Sequence, residues 1–198
     1  MKFHAMASAV LLFLLSTTAL AQDSKIPQGA SDIKGERASQ SNPFSTFNKF
    51  VYARLKTTLI ASAEKMPEEN YSFKPTETVR SYGQIVGHLA DAQYTFCSVT
   101  LGENSPGLKI EQTKTTKADL VVALKDALSY CDKAYDGMTD ASGTQMVKMI
   151  GMDMPKLGVL NFNNMHAMEH YGNLVTYLRL KNIVPPTSEN TAAPAQKK

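Results

Sequence analysis

Imidazole suits divalent zinc, copper, iron and nickel as a ligand, and the chain carries four histidines: His4, His88, His166 and His170. His166 and His170 are four residues apart, so on a helix both rings rise from one face and can reach a single ion. His88 sits among Ile85, Leu89 and Ala92, an apolar series at helical spacing, which turns it toward the core of whatever fold that helix joins. A buried imidazole without a partner is costly. Three neutral imidazoles that converge on zinc leave a coordination position for water or substrate. Taken singly, each histidine also fits an ordinary hydrogen-bonded core position. Taken together, all the histidines after His4 fall on core-facing helical positions.

Two carboxylates lie close by in sequence. Asp91 follows His88 by one turn, and Glu169 precedes His170; either can orient an imidazole or accept a proton, although a solvated helix edge is the simpler setting for both. Asn173 and Tyr177 continue the His166 and His170 stripe toward ligand or substrate, or fill core space. The run His166-Ala-Met-Glu169-His170 matches the H-x-x-E-H pattern of inverted zinc peptidases. That reading fits poorly, because only Tyr171 to Lys198 remain to supply the downstream glutamate ligand. Met146, Met149, Met152 and Met154 form a thioether cluster of the kind that suits copper(I), against the commoner use of methionine to fill gaps under a loop.

Helices must bring these residues together. Asn42-Pro43 opens a first apolar series of Phe44, Phe47, Val51, Leu55, Leu59 and Met66, with Asn as the cap and Pro in the first turn. After a long connection through Tyr71, Phe73 and Pro75, Ser81 and Gln84 form a capping-box pattern ahead of Ile85 to Val99, and Gly102 stops that helix. Thr116 and Asp119 open a third, with Val121, Leu124, Leu128, Cys131, Tyr135 and Met138 on its inner face. The fourth runs from about Pro155 to Asn182. No stretch alternates long enough to make a sheet, so the fold class is all-α, a four-helix bundle.

The flanks read differently. Lys2, the apolar run Ala9 to Leu15 and Ala19-Leu20-Ala21 predict a cleavable signal peptide over residues 1–21 and a periplasmic or secreted protein. Residues 22–42 read as a flexible leader, 43–186 as the bundle and 187–198 as a disordered tail. A formal net charge of +3, lowered by one when Lys2 leaves with the signal, implies no particular partner. Scattered Lys and Arg, with no basic stripe, argue against nucleic acid. No later segment is apolar enough to span a membrane. Cys97 and Cys131 can pair in an oxidising compartment or serve as small buried apolar residues. A homodimer is left open.

Arg80-Ser-Tyr-Gly-Gln-Ile-Val-Gly-His88-Leu-Ala-Asp91, preceded by Met66-Pro67 and Tyr71-Ser-Phe-Lys-Pro75, resembles the second helix of the DinB-like (DinB/YfiT) superfamily and its approach. His166-Ala-Met-Glu-His170-Tyr-Gly172-Asn173-Leu-Val-Thr-Tyr177-Leu178-Arg179, followed by Pro185-Pro186, resembles the last helix of that family. The resemblance covers residues 44–186. It implies an up-down-down-up bundle and a divalent ion, zinc or nickel with manganese or iron as alternatives, on His88, His166 and His170. Some relatives are metal-dependent transferases or isomerases that use low-molecular-weight thiols; with the open coordination position read from the residues, the expectation is a metal-dependent hydrolase or transferase acting on a small molecule, with Glu169 and Asp91, by their places beside the histidines, as catalytic candidates. The alternative is a metal-binding protein without catalysis, for storage, sensing or structure. Asn173 departs from the glutamine that relatives often have, and Glu169 is often replaced in them. Export would separate the protein from cytoplasmic thiols, which weakens transfer of the thiol chemistry known for some relatives.

Overall fold

A computed structural model describes residues 41–191. The expected signal peptide, residues 22–40 of the expected leader, and residues 192–198 of the expected tail lie outside the described residues. Four long helices carry the fold: α1 (Pro43–Lys65), α2 (Tyr82–Leu101), α3 (Lys117–Asp136) and α4 (Lys156–Leu180). Among the described residues, no helix is long and apolar enough to cross a membrane.

Local chemistry accounts for most of the helix ends. At the start of α2 the Ser81 hydroxyl accepts from the Gln84 backbone while the Gln84 side chain accepts from the Ser81 backbone, and Gly102 ends the helix in the left-handed conformation at φ 76°. Thr116 caps α3 by accepting from the Asp119 backbone. Asn42 behaves otherwise than expected: its side chain does not cap α1. Asp140 does, accepting from Ser45 N at 2.7 Å and Phe44 N at 3.2 Å, while Asn42 Oδ1 accepts from Asp140 N at 2.9 Å.

The direction of each helix follows from its contacts. Tyr82, opening α2, donates its hydroxyl to Ser62 O near the end of α1, so these two helices are antiparallel. Leu120 packs near Gly83, and Cys97 is disulfide-bonded to Cys131 with Cα atoms 5.3 Å apart, so α2 and α3 run parallel. Gln93 meets Asn163 and Tyr177 meets the Arg80 carbonyl, which sets α4 antiparallel to α2. The order is therefore up-down-down-up. The two thiols, which the sequence left between pairing and simple burial, pair.

Leu59, Leu89, Leu124, Leu160, Leu174 and Leu178 are fully buried between the helices, each contributing about 1.5–3 kcal/mol by leaving water. The inner face of α1 departs from expectation at its start. Phe44 and Phe47 are 71% and 67% exposed, whereas Ser45, Asn48 and Tyr52 point inward. Polar partners across the bundle select that face: Asn48 Nδ2 donates to Leu157 O, Asn164 Nδ2 donates to both oxygens of Asn48, and the Tyr52 hydroxyl donates to Leu128 O. Satisfied polar groups can be buried where unsatisfied ones cannot.

Two further features differ from the sequence expectation. Met146–Met149 (β1) and Met152–Pro155 (β2) pair as an antiparallel hairpin, turned by Ile150 at φ 52° and Gly151 at φ 75°; positive φ at both central residues matches the twist of short strands. Residues 187–191, the start of the expected disordered tail, belong instead to a 3₁₀ turn, Pro186–Thr191. Thr187 is hydrogen-bonded to the Tyr171 hydroxyl, and Glu189 pairs with Lys65.

Candidate metal centre

The parallel and antiparallel packing just described brings the middle of α2 against the middle of α4. His88 Nε2 lies 3.1 Å from His166 Nε2, and His170 Nε2 also lies 3.1 Å from His166 Nε2. One nitrogen from each ring falls within 4.8 Å of the others. A tetrahedral ion with nitrogens at about 2.0–2.1 Å has ligand-to-ligand edges of about 3.3 Å, so the two measured edges fit an ion held between the rings. His170 is buried, whereas His88 and His166 are half-buried. The site is thus at the rim of the helix interface rather than deep in the core toward which the sequence directed His88.

The protonation chemistry also fits. Burial, helped by His170, His88 and Arg80, pushes His166 down from 6.5 to about 4, and burial lowers His170 as well. Neutral imidazole is the form that binds metal. The Nδ1 atoms of His166 and His170 are buried without a hydrogen-bond partner in the structure, while His88 Nδ1 lies 3.0 Å from Glu111 Oε2. A carboxylate at that distance holds the proton on Nδ1 and leaves the Nε2 lone pair facing the other two rings.

Glu111 was not anticipated from sequence. It sits on a one-turn helix, Ile110–Thr113, in the connection between α2 and α3, and its Oε1 accepts from Arg80 Nε at 2.7 Å. Asp91 takes a different place from the one expected of a catalytic carboxylate. Both its oxygens are engaged, accepting from Ile110 N and Glu111 N at 2.9 Å each, so it caps the short helix instead of facing the imidazoles. One sequence signal pointed here: Gly87, a helix-interior glycine beside His88, where alanine is favoured by about 1 kcal/mol unless another backbone must come close. A Cβ on Gly87 would lie 2.8 Å from Glu111 Cα.

Glu169 is exposed and, with His170, Asn173, Tyr177, Arg80 and Lys74, lines an open groove of about 680 Å³. The two sequence readings divide between these residues: Asn173 is exposed on the groove, whereas Tyr177, 6% exposed and with its hydroxyl donated to Arg80 O, fills core space at the groove's edge. The four methionines do not converge. Paired and alternate positions put Met149, Met152 and Met154 on one face of the hairpin and Met146 on the other. Met149 is buried in a cluster with Ala92, Phe96 and Val159, which is the gap-filling role. The inverted-peptidase reading loses its architecture, since the third histidine comes from an upstream helix of an all-α bundle.

The DinB superfamily model matches residues 52–174, a span that contains all three histidines. The uncharacterised protein YjoA of Bacillus subtilis is 28% identical over 123 residues, which is 59% of this chain and 77% of that protein. Crystal structures of two DinB-like proteins share the fold. The one from Bacillus cereus aligns with a TM-score of 0.60 at 16% identity, over 67% of this chain and 89% of its own. YjoA itself aligns at 0.57 with 23% identity, over 68% of this chain and 91% of its own.

Proposed function

The chain belongs to the DinB superfamily, and from that premise we propose that it is an exported protein that binds one divalent ion through His88, His166 and His170 and acts on a small molecule as a metal-dependent hydrolase or transferase. Zinc and nickel fit the all-imidazole donor set best, with manganese and iron less suited to it. The observation that carries the catalytic part is the groove of about 680 Å³ that adjoins His170, because a storage or structural site has no need of a substrate-sized space beside its ligands. A bound ion supplies Lewis acidity toward a carbonyl or phosphoryl oxygen.

The residues of the chain divide the remaining work. The three imidazoles would hold the ion, and of them His170 lines the groove. Glu169, exposed on the groove wall beside His170, accepts or returns a proton, whereas Asp91 accepts from the backbone of the Ile110–Thr113 helix with both oxygens. Asn173, exposed on the face of α4 that carries His170, contacts what binds in the groove, while buried Tyr177 supports its wall by donating to Arg80 O. Export is supported by the Lys2, Ala9 to Leu15 and Ala19 to Ala21 pattern in the sequence and by the Cys97–Cys131 disulfide, which suits an oxidising compartment.

The test is a screen of small esters, amides, phosphoesters and thiol acceptors with the zinc- and nickel-loaded protein beside a Glu169→Gln variant. Turnover that falls about 10²–10⁴-fold in the variant, with the metal retained, is the expected result for a proton-transfer residue. A tightly bound ion with no turnover of any class would favour the non-catalytic alternative.

A further inference from the structure

Of the three imidazoles, one alone has a carboxylate on its second nitrogen, and four features hold that carboxylate in place. Asp91, three residues beyond His88 on the same helix, accepts from the backbone N–H groups of Ile110 and Glu111 at 2.9 Å each. Gly87, the residue before His88, leaves the space into which the Glu111 backbone fits; an added Cβ would come within 2.8 Å of Glu111 Cα and 3.0 Å of its nitrogen. Arg80 Nε donates to the Glu111 oxygen that faces away from the histidine. Ile110, 1% exposed, anchors the same turn in the core.

We propose that Glu111 is the positioning residue of the metal centre, and that Gly87 and Asp91 exist to seat it on His88. The inference rests on the reading of the three histidines as metal ligands. Glu111 has its Oε2 on His88 Nδ1 and its Oε1 on Arg80, so it is not free to serve as a proton acceptor for substrate. Its work is to fix the tautomer that leaves Nε2 unprotonated and to hold the ring's orientation. His166 and His170 have no such partner, which makes His88 the ligand most strongly prepared for the ion.

The experiment is a zinc titration of the mature protein against a chromophoric chelator, run for the parent, Glu111→Ala, Glu111→Gln, Asp91→Ala, Gly87→Ala and the Glu111→Ala/Asp91→Ala double variant, with thermal melts of the metal-free forms alongside. Glu111→Ala is expected to weaken zinc binding by about 10–100-fold, and Glu111→Gln, which keeps an oxygen acceptor but no charge, to recover part of that loss. Asp91→Ala and Gly87→Ala should each weaken zinc, and the double variant should be no weaker than Glu111→Ala alone, as residues acting through one contact are non-additive. Folded variants that melt lower yet bind zinc as tightly as the parent would overturn the proposal and leave Glu111 a packing residue. A His166→Ala/His170→Ala control separates the two ideas: if it binds zinc like the parent, the metal reading itself fails, whereas its loss of zinc with Glu111→Ala unaffected sinks only the positioning role.

Discussion

His166 and His170 expose the tension on which the site is built: two imidazoles are held half or fully buried on one helix, four residues apart, and both resist protonation. In the unfolded chain they titrate near the ordinary 6.5, while in the metal-free fold His166 is held at about 4 by burial and by neighbouring His170, His88 and Arg80. A folded value below the unfolded one means that the unfolded chain takes up more protons between those limits, so stability is lost as pH falls. Metal-free protein should therefore lose stability to urea as pH drops from about 6.5 toward 4, and a His166→Ala/His170→Ala variant should show a flatter profile over that window. The three candidate histidines were legible in the sequence because their helical spacing is local. Glu111 was not, because its partner His88 lies 23 residues away and only Gly87 hinted that another backbone comes close. The position of Asp91 one turn from His88 is visible in the sequence, while the two amides from which it accepts are not.

Helix boundaries form the part of the fold that sequence reveals most directly, since a cap is made by residues three apart. Replacing Ser81 by Ala removes the reciprocal cap of α2 and should cost about 1 kcal/mol, lowering the melting temperature by about 2–4 °C without changing metal content of the folded protein. The face that a helix buries is harder to read when polar residues pack inward. At the start of α1, Asn48 and Tyr52 are buried because Asn164, Leu157 and Leu128 offer partners some 75 to 115 residues away, and no local pattern carries that information. The Met146–Pro155 hairpin escaped notice for a related reason. Its strands have four residues each, and its turn places Ile150, a β-branched residue, at positive φ, where Asn or Asp is the usual signal. Met149→Leu and Met152→Leu should leave zinc binding unchanged, measured by the same chelator competition; acquired dependence of copper(I) binding on these thioethers would revive the discarded cluster.

At the level of the molecule, the up-down-down-up order makes α2 and α3 parallel neighbours joined by a crossing connection, and that connection carries Glu111 to His88. The Cys97–Cys131 disulfide ties the same two helices across 34 residues, a closure that stabilises by about 4 kcal/mol through the unfolded chain. A Cys97→Ala/Cys131→Ala variant should unfold at correspondingly lower urea, and a reducing agent should bring the parent down toward the variant while leaving the variant unmoved. The bundle architecture was accessible from four amphipathic segments, but the order of its helices came from family likeness, because short-range patterns do not encode the direction of a neighbour. A separate apolar groove of about 440 Å³, lined by Phe44, Phe47, Val51 and Leu157, opens beside the start of α1, and none of the three histidines lines it.

Metal content decides the central assignment most directly. The protein, prepared without a histidine tag and supplied with zinc and nickel, would be measured by elemental analysis beside a folded His166→Ala/His170→Ala variant. About one ion per chain in the parent and none in the variant is the expected result. Equal metal in both, or none in a folded parent, would contradict a three-histidine centre.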